Sequence, residues 1–256
     1  MKLHSMIPFG LILLSSPALA EDTETICTDR PTKGNSACTV PEGMIQIEAE
    51  PVFWTRQGDQ EATIWGGFGL KYGVTDSTDV QLFVSPMVDV RDPSTGLRER
   101  GFGDAVVRIK QRITPVGAPI QIAALPYVKV PTAGNNLGNG KIEGGLLVPI
   151  NFSLGSVGIN VVPTLDVLAD ADQQGHHLQF TGVVAATVPL TDRLSIAGEL
   201  WTAQNWEPAG TIQQYSADAA ITYLLSNDVQ LDAGANFGLN AQTPDVQIYT
   251  GISFRF

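Results

Sequence analysis

Apolar and polar residues alternate with a period of two along most of this chain, in runs of 11 to 16 residues that each end at turn-forming residues. The final run, Asp245 to Phe256, is the cleanest. Val246, Ile248, Thr250, Ile252, Phe254 and Phe256 fall on one face of a strand, and Asp245, Gln247, Tyr249, Gly251, Ser253 and Arg255 on the other. The same alternation predicts twelve strands, at about Met44–Thr55, Glu61–Gly73, Thr78–Val90, Gly101–Thr114, Ile120–Val130, Lys141–Leu154, Val157–Ala169, His177–Leu190, Arg193–Asn205, Thr211–Leu225, Val229–Leu239 and Val246–Phe256. No helical period competes with it.

The connections alternate in length with a fixed phase. Those after even-numbered strands (VTDS, PVGAP, GS, TD, SND) are tight, whereas those after odd-numbered ones (such as RDPSTGLRER, PTAGNNLGNG and DADQQGH) mostly run longer. Short turns at one end and longer loops at the other are the habit of outer-membrane barrels, and a soluble sandwich or lipocalin-like barrel predicts no such phase. The expected fold is therefore all-β: a single antiparallel transmembrane barrel over residues 44–256, with short periplasmic turns and longer outer loops. Its lipid face should carry Val229, Leu231, Phe237, Ile248, Ile252 and Phe254, because a midplane Lys or Arg there would cost about 2 to 4 kcal/mol.

Met1 to Ala20 reads as an export signal, with one Lys, an apolar run from Ile7 to Leu14 and Ala18-Leu19-Ala20 before Glu21. That run is too short to span a bilayer as a helix, so a membrane protein of this sequence crosses as strands, in the outer membrane of a Gram-negative cell. Loss of Lys2 with the leader moves the formal charge from −11 to about −12. So acidic a chain is a poor partner for nucleic acid. The partners expected are outer-membrane lipid, a small-molecule solute and the barrel-assembly machinery, whose signal would be Phe254 and Phe256 at the aromatic end of the chain.

Three charges recur on alternate residues of the fourth predicted strand, Arg108, Lys110 and Arg112. Facing lipid they would be prohibitive, so they face inward. The same phase puts Glu48, Glu50, Lys71, Lys129, Asp166, Glu199, Asp218, Asp232 and Arg255 in the lumen, along with Asp104, Lys141 and Glu143. Bases dominate strands two to six, and acids strands seven to eleven plus strand one. Opposed walls of that kind either orient solutes in an open pore or pair across a closed one, with Asp218 and Asp232 the first partners expected for Arg108 and Lys110. An open lumen makes a channel or transporter; a closed one makes a structural or surface-interaction barrel.

Between the leader and the first strand, residues 21–43 form a Pro-, Gly- and Thr-rich periplasmic segment. It holds the only two cysteines, Cys27 and Cys38, which in an exported protein suggest a disulfide ahead of a metal pair, since no His lies nearby. Asp29 and Arg30 in the loop so closed are candidates for a plug at the periplasmic mouth; the alternative is a solvated leader. An enzyme is not expected. Outside the leader the only histidines are His176 and His177, and no Ser occupies the same-face position that an H-x-S arrangement needs. No phosphate loop, cofactor fingerprint or metal constellation is present.

Thr28-Asp29-Arg30-Pro31, then Val40-Pro41-Glu42-Gly43, Gln46 and Glu48, resemble the opening TDRP…VP-x-G…Q-x-E signature of the outer-membrane family of the MetA pathway of phenol degradation. Joined to the strand layout and the terminal Phe, the resemblance covers essentially the whole mature chain. It implies an outer-membrane barrel that passes small, aromatic or hydrophobic compounds. The two cysteines are not part of what the resemblance carries.

Overall fold

The computed structural model describes residues 25–134 and 137–256; the export signal falls outside them. Fifteen ladder segments follow one another: β1 (Ile45–Gln57), β2 (Gln60–Thr75), β3 (Thr78–Val84), β4 (Met87–Asp92), β5 (Leu97–Gly101), β6 (Ala105–Arg112), β7 (Ile120–Val130), β8 (Glu143–Leu147), β9 (Ile150–Leu154), β10 (Val157–Ala169), β11 (His176–Pro189), β12 (Leu194–Asn205), β13 (Ile212–Ser226), β14 (Val229–Gly238) and β15 (Val246–Arg255). Each pairs antiparallel with its neighbours, and β1 pairs with both β2 and β15, so the sheet closes on itself as a twelve-stranded barrel. No helix occurs among the described residues.

Fifteen segments make twelve strands because three strands are broken midway: β3 from β4 at Ser85-Pro86, β5 from β6 at Phe102-Gly103-Asp104, and β8 from β9 at Val148-Pro149. Two of the breaks hold a proline, which has no N–H to give the ladder. At the third, Gly103 packs so closely on Ser85 that a side chain would collide with it. The sequence pattern ran straight through these breaks because they spare the face alternation on either side. It also took the hydrophilic stretch 91–100 for a loop. The chain instead turns tightly at residues 93–96 and returns as β5, so β4 and β5 form a hairpin carried on β2 at the outer end. Arg91 pairs there with Glu61, and Arg98 and Arg100 with Asp89. The first outer connection is likewise shorter than expected, since only Gly58-Asp59 separates β1 from β2.

Faces follow the alternation. Leu231, Phe237 and Ile248 are exposed on the outside, as are Leu82, Val107, Ile109, Val184, Leu200 and Ile221, while Asp232, Asn236, Tyr249, Ser253 and Arg255 are buried. At the seam, the Ile45 and Phe256 backbones exchange two hydrogen bonds, and the Phe254 and Phe256 rings stack 6.0 Å apart. The β1–β15 ladder shifts register between Ala49 and Val52. Pro51 sits in that shift without a donor of its own, and beyond it the inward phase of β1 passes from Glu48 and Glu50 to Phe53.

Candidate functional site

Residues 25–43 do not hang below the barrel. They enter from the short-turn end, where the Ile26 amide meets the Asn227 carbonyl, run inside the wall past Glu48 and Glu50, turn at Pro31 to Asn35 beside Glu199 and return past Asp79 on β3 to start β1. Burying so polar a segment requires a partner for each charge, and the walls supply them in complementary sign. Asp29 meets the basic wall: Lys71 Nζ donates to it at 2.6 Å and Lys110 Nζ at 2.7 Å. Lys71 also reaches Glu48 at 2.5 Å, and Glu48 accepts the Asp29 amide at 3.0 Å. Burial alone would raise the Asp29 carboxyl, but Lys110 and Lys71 together hold it well below the usual carboxylate range.

Arg30 and Lys33 meet the acidic wall. Arg30 donates to Glu50 at 2.6 Å, to Asp232 at 2.9 and 3.2 Å and to the Thr250 carbonyl at 3.2 Å, and its guanidinium stands 5.6 Å from the Tyr249 ring centre. Lys33 donates to Ser216 at 2.6 Å and Asp218 at 2.9 Å and lies 4.7 Å over Trp201. The Lys33 and Gly34 amides, each at 3.1 Å, give Glu199 its donors. The opposed walls read from the sequence are thus bridged by the segment between them. Asp218 and Asp232 face Lys33 and Arg30, not Arg108 and Lys110 as expected, because the plug stands in the way.

The returning leg is fastened differently. The Val40 amide donates to Asp79 at 2.9 Å and the Ala37 amide to Asn151 at 2.7 Å, and Asn160 donates to the Asn35 carbonyl at 2.9 Å. Ala37 itself is fully buried against Ala123, Leu125 and Leu147 on β7 and β8. A disulfide joins Cys27 to Cys38 and so ties the two legs at their base.

The remaining predicted lumen residues scatter. Lys129 sits near the outer mouth between Asp104 at 3.1 Å and Glu143 at 2.9 Å, so its partners come from nearby strands. Arg112 bonds backbone carbonyls of Asp76 and Thr114 at the lower rim, and Arg255 pairs there with Asp228. Lys141 lies in the loop before β8 and reaches the Gln173 carbonyl. His177 is pinned at the outer rim between Asp170 at 2.8 Å and Glu207 at 3.3 Å, and His176 is exposed. The sequence reading passed over Lys33, Asn35, Asp79, Asn160, Tyr127 and Trp201; the inward phase would have found the last four, but nothing marked Lys33 and Asn35 as belonging to a lumen.

Space remains beside the plug. A cavity of about 390 Å³ lies at the lower end by the disulfide, Asn151 and Asn160. A second, of about 200 Å³, lies within the plug's turn, and a third, of about 340 Å³, lies above it between Arg108, Tyr127, Val162, Asp166, Val183 and Trp201. Asn151 and Asn160 line the first two, and Asn35 lines the second and third.

The family model described as "Putative MetA-pathway of phenol degradation" matches residues 28–256, from the plug's Thr28 to the terminal Phe. The chain belongs to this family. Its members' model thus includes the plug's TDRP along with the barrel. The fold is similar to that of a COG4313 outer membrane channel from Pseudomonas putida F1, with a TM-score of 0.66 at 15% identity over 88% of this chain and 100% of that one. It is similar too to the NanC porin (TM-score 0.57, 8% identity, 82% and 98% covered). The translocator domain of the autotransporter NalP from Neisseria meningitidis aligns with a TM-score of 0.51 at 12% identity, over 83% and 87%. At these identities the likeness is one of fold, that of the outer-membrane barrel. No curated protein matches the sequence.

Proposed function

We propose that this member of the family is a gated outer-membrane channel for small solutes with apolar or aromatic bodies, and that residues 25–43 are its gate. The observation that carries this reading is the reciprocal charge pairing of Asp29, Arg30 and Lys33 with opposite walls. It fills the lower lumen with a segment that is not itself part of the barrel and that is joined to it covalently only at Met44. A lumen that served only as a polar core could pair its own walls directly. Tyr127, Trp201, Val162 and Val183 give the open part of the lumen the apolar and aromatic surface on which such solutes rest. The chain acts in this reading as a conduit and performs no chemistry, and Phe254 and Phe256 belong to its recognition by the assembly machinery.

Planar-bilayer recordings test the reading. The intact protein should stay closed or flicker, and a variant lacking residues 26–40 should give long-lived open steps. A folded, inserted deletion variant that conducts no better than the parent would leave the second reading, a closed structural barrel, which the dense ion network in the lower lumen favours.

A further inference from the structure

We propose that the cavity above the plug is a binding site for a small monocarboxylate with a flat apolar body, its carboxylate held by Arg108; this names the solute class of the channel proposed above and rests on that reading. Among the described inward-facing cations, Arg30, Lys33, Lys71, Lys110, Lys129 and Arg255 each meet a carboxylate, and Arg112 is taken up by carbonyls at the lower rim. Arg108 has neither arrangement. Its guanidinium makes one hydrogen bond, 2.6 Å to the Asn35 side-chain oxygen, and its central carbon stands 4.0 Å over the Phe83 ring centre.

A guanidinium has five N–H donors in a rigid fork, so most of those on Arg108 have no acceptor among the described residues. The contact with Phe83 and the tie to Asn35 restrict the fork's motion, which lowers the entropy lost when a carboxylate is captured through two parallel bonds. The walls around it suit the rest of such a ligand. Val106, Leu147, Val162 and Val183 make an apolar lining, and the Trp201 ring stands on the far side under Lys33. At about 340 Å³ the cavity has the size of a small-molecule site.

Asp166 sets the limit on charge. It lines the same cavity and accepts Tyr127 Oη at 2.7 Å, Gln179 at 3.2 Å and Thr181 at 3.5 Å, all neutral donors, and no cation pairs with it directly among the described residues. A second carboxylate on the ligand would face it. The site therefore favours one negative charge at the Arg108 end and none at the other.

Isothermal titration of the intact, detergent-folded barrel with benzoate, benzyl alcohol and terephthalate tests the assignment. Benzoate should bind saturably, and the neutral alcohol and the dianion at least about tenfold more weakly. Arg108→Gln should abolish the preference for benzoate over benzyl alcohol. Val183→Phe, which fills the cavity from the opposite wall without touching a charge, should remove binding altogether, and heat-modifiable migration on gels would show both variants folded. Equal binding of benzoate and benzyl alcohol, benzoate binding that survives in Arg108→Gln, or no saturable benzoate binding would each overturn the proposal. Because the titration needs no transport, a barrel that opens on plug deletion yet ignores benzoate refutes this site alone. One that binds benzoate but never conducts refutes only the channel.

Discussion

The two sides of the plug are held by opposite means. Toward β14, β15, β1, β2 and β6, the leg that carries Asp29 and Arg30 is fixed by charges that only a few geometries satisfy. Toward β3 and β7 to β11, the returning leg rests on small apolar side chains and amide hydrogen bonds, with cavities of about 390 and 340 Å³ below and above it. An ion pair buried this deeply costs several kcal/mol to separate, because each charge loses its partner before it gains water. Contact between Ala37 and the Ala123–Leu125 surface is non-directional, and a sliding segment gives it up gradually. In the gating proposed above, the charged side acts as the latch and the apolar side as the path.

Removing residues 26–40 tests both sides at once and should have the largest effect, with conductance passing from closed to steadily open. Asp29→Asn strikes the latch alone. It leaves Lys110 without its carboxylate and Lys71 with Glu48 only, which should destabilise the seated plug by about 3 to 5 kcal/mol. Protease access to the segment and opening frequency would both rise; a variant as closed as the parent would break the distinction between the two sides. Reducing Cys27–Cys38 frees the base of both legs. A loop with a sequence separation of 11 contributes about 3 kcal/mol in the chain-entropy account, here to the plug and not to the wall. Opening should increase while the barrel's heat stability stays the same.

On the path side, Ala37→Leu overfills a dry contact and should cost about 1 to 3 kcal/mol of plug seating, less than Asp29→Asn. The smallest effect expected is that of mild acid. The Asp29 carboxyl is held below its ordinary 3.8, so the stability it gives is present above that value and is lost only as pH falls through the depressed one. Asp29's share of closure should therefore be the same at pH 7 and pH 5, and an Asp29→Asn variant whose difference from the parent shrinks across that window would contradict its part in the latch.

The barrel was legible in the sequence because a face that meets lipid and a face that meets polar surroundings must alternate, whatever the tertiary detail. Val229 to Leu239 states this without help from any other strand. The same rule gave the inward phase of Lys71, Lys110, Asp218 and Asp232. It could not give their partners, because the segment that pairs with them has no periodicity and was read as standing outside the wall. Strand phase says which way Lys110 points, but only the path of residues 25–43 puts Asp29 in front of it. The kinks at Pro86, Gly103 and Pro149 escaped for a related reason: they change the course of a strand and leave its pattern of faces intact.

Arg30 sits where the circle of strands is completed. Its fork reaches Glu50 on the first strand, Asp232 on the eleventh and the Thr250 carbonyl on the twelfth, across the place where the β1–β15 ladder slips at Pro51. That makes one side chain from the leading segment a stitch through both edges of the cylinder. A barrel without its leading segment would have to hold this joint without the Arg30 contacts, so one arginine from outside the wall takes part in keeping the wall's first and last strands together.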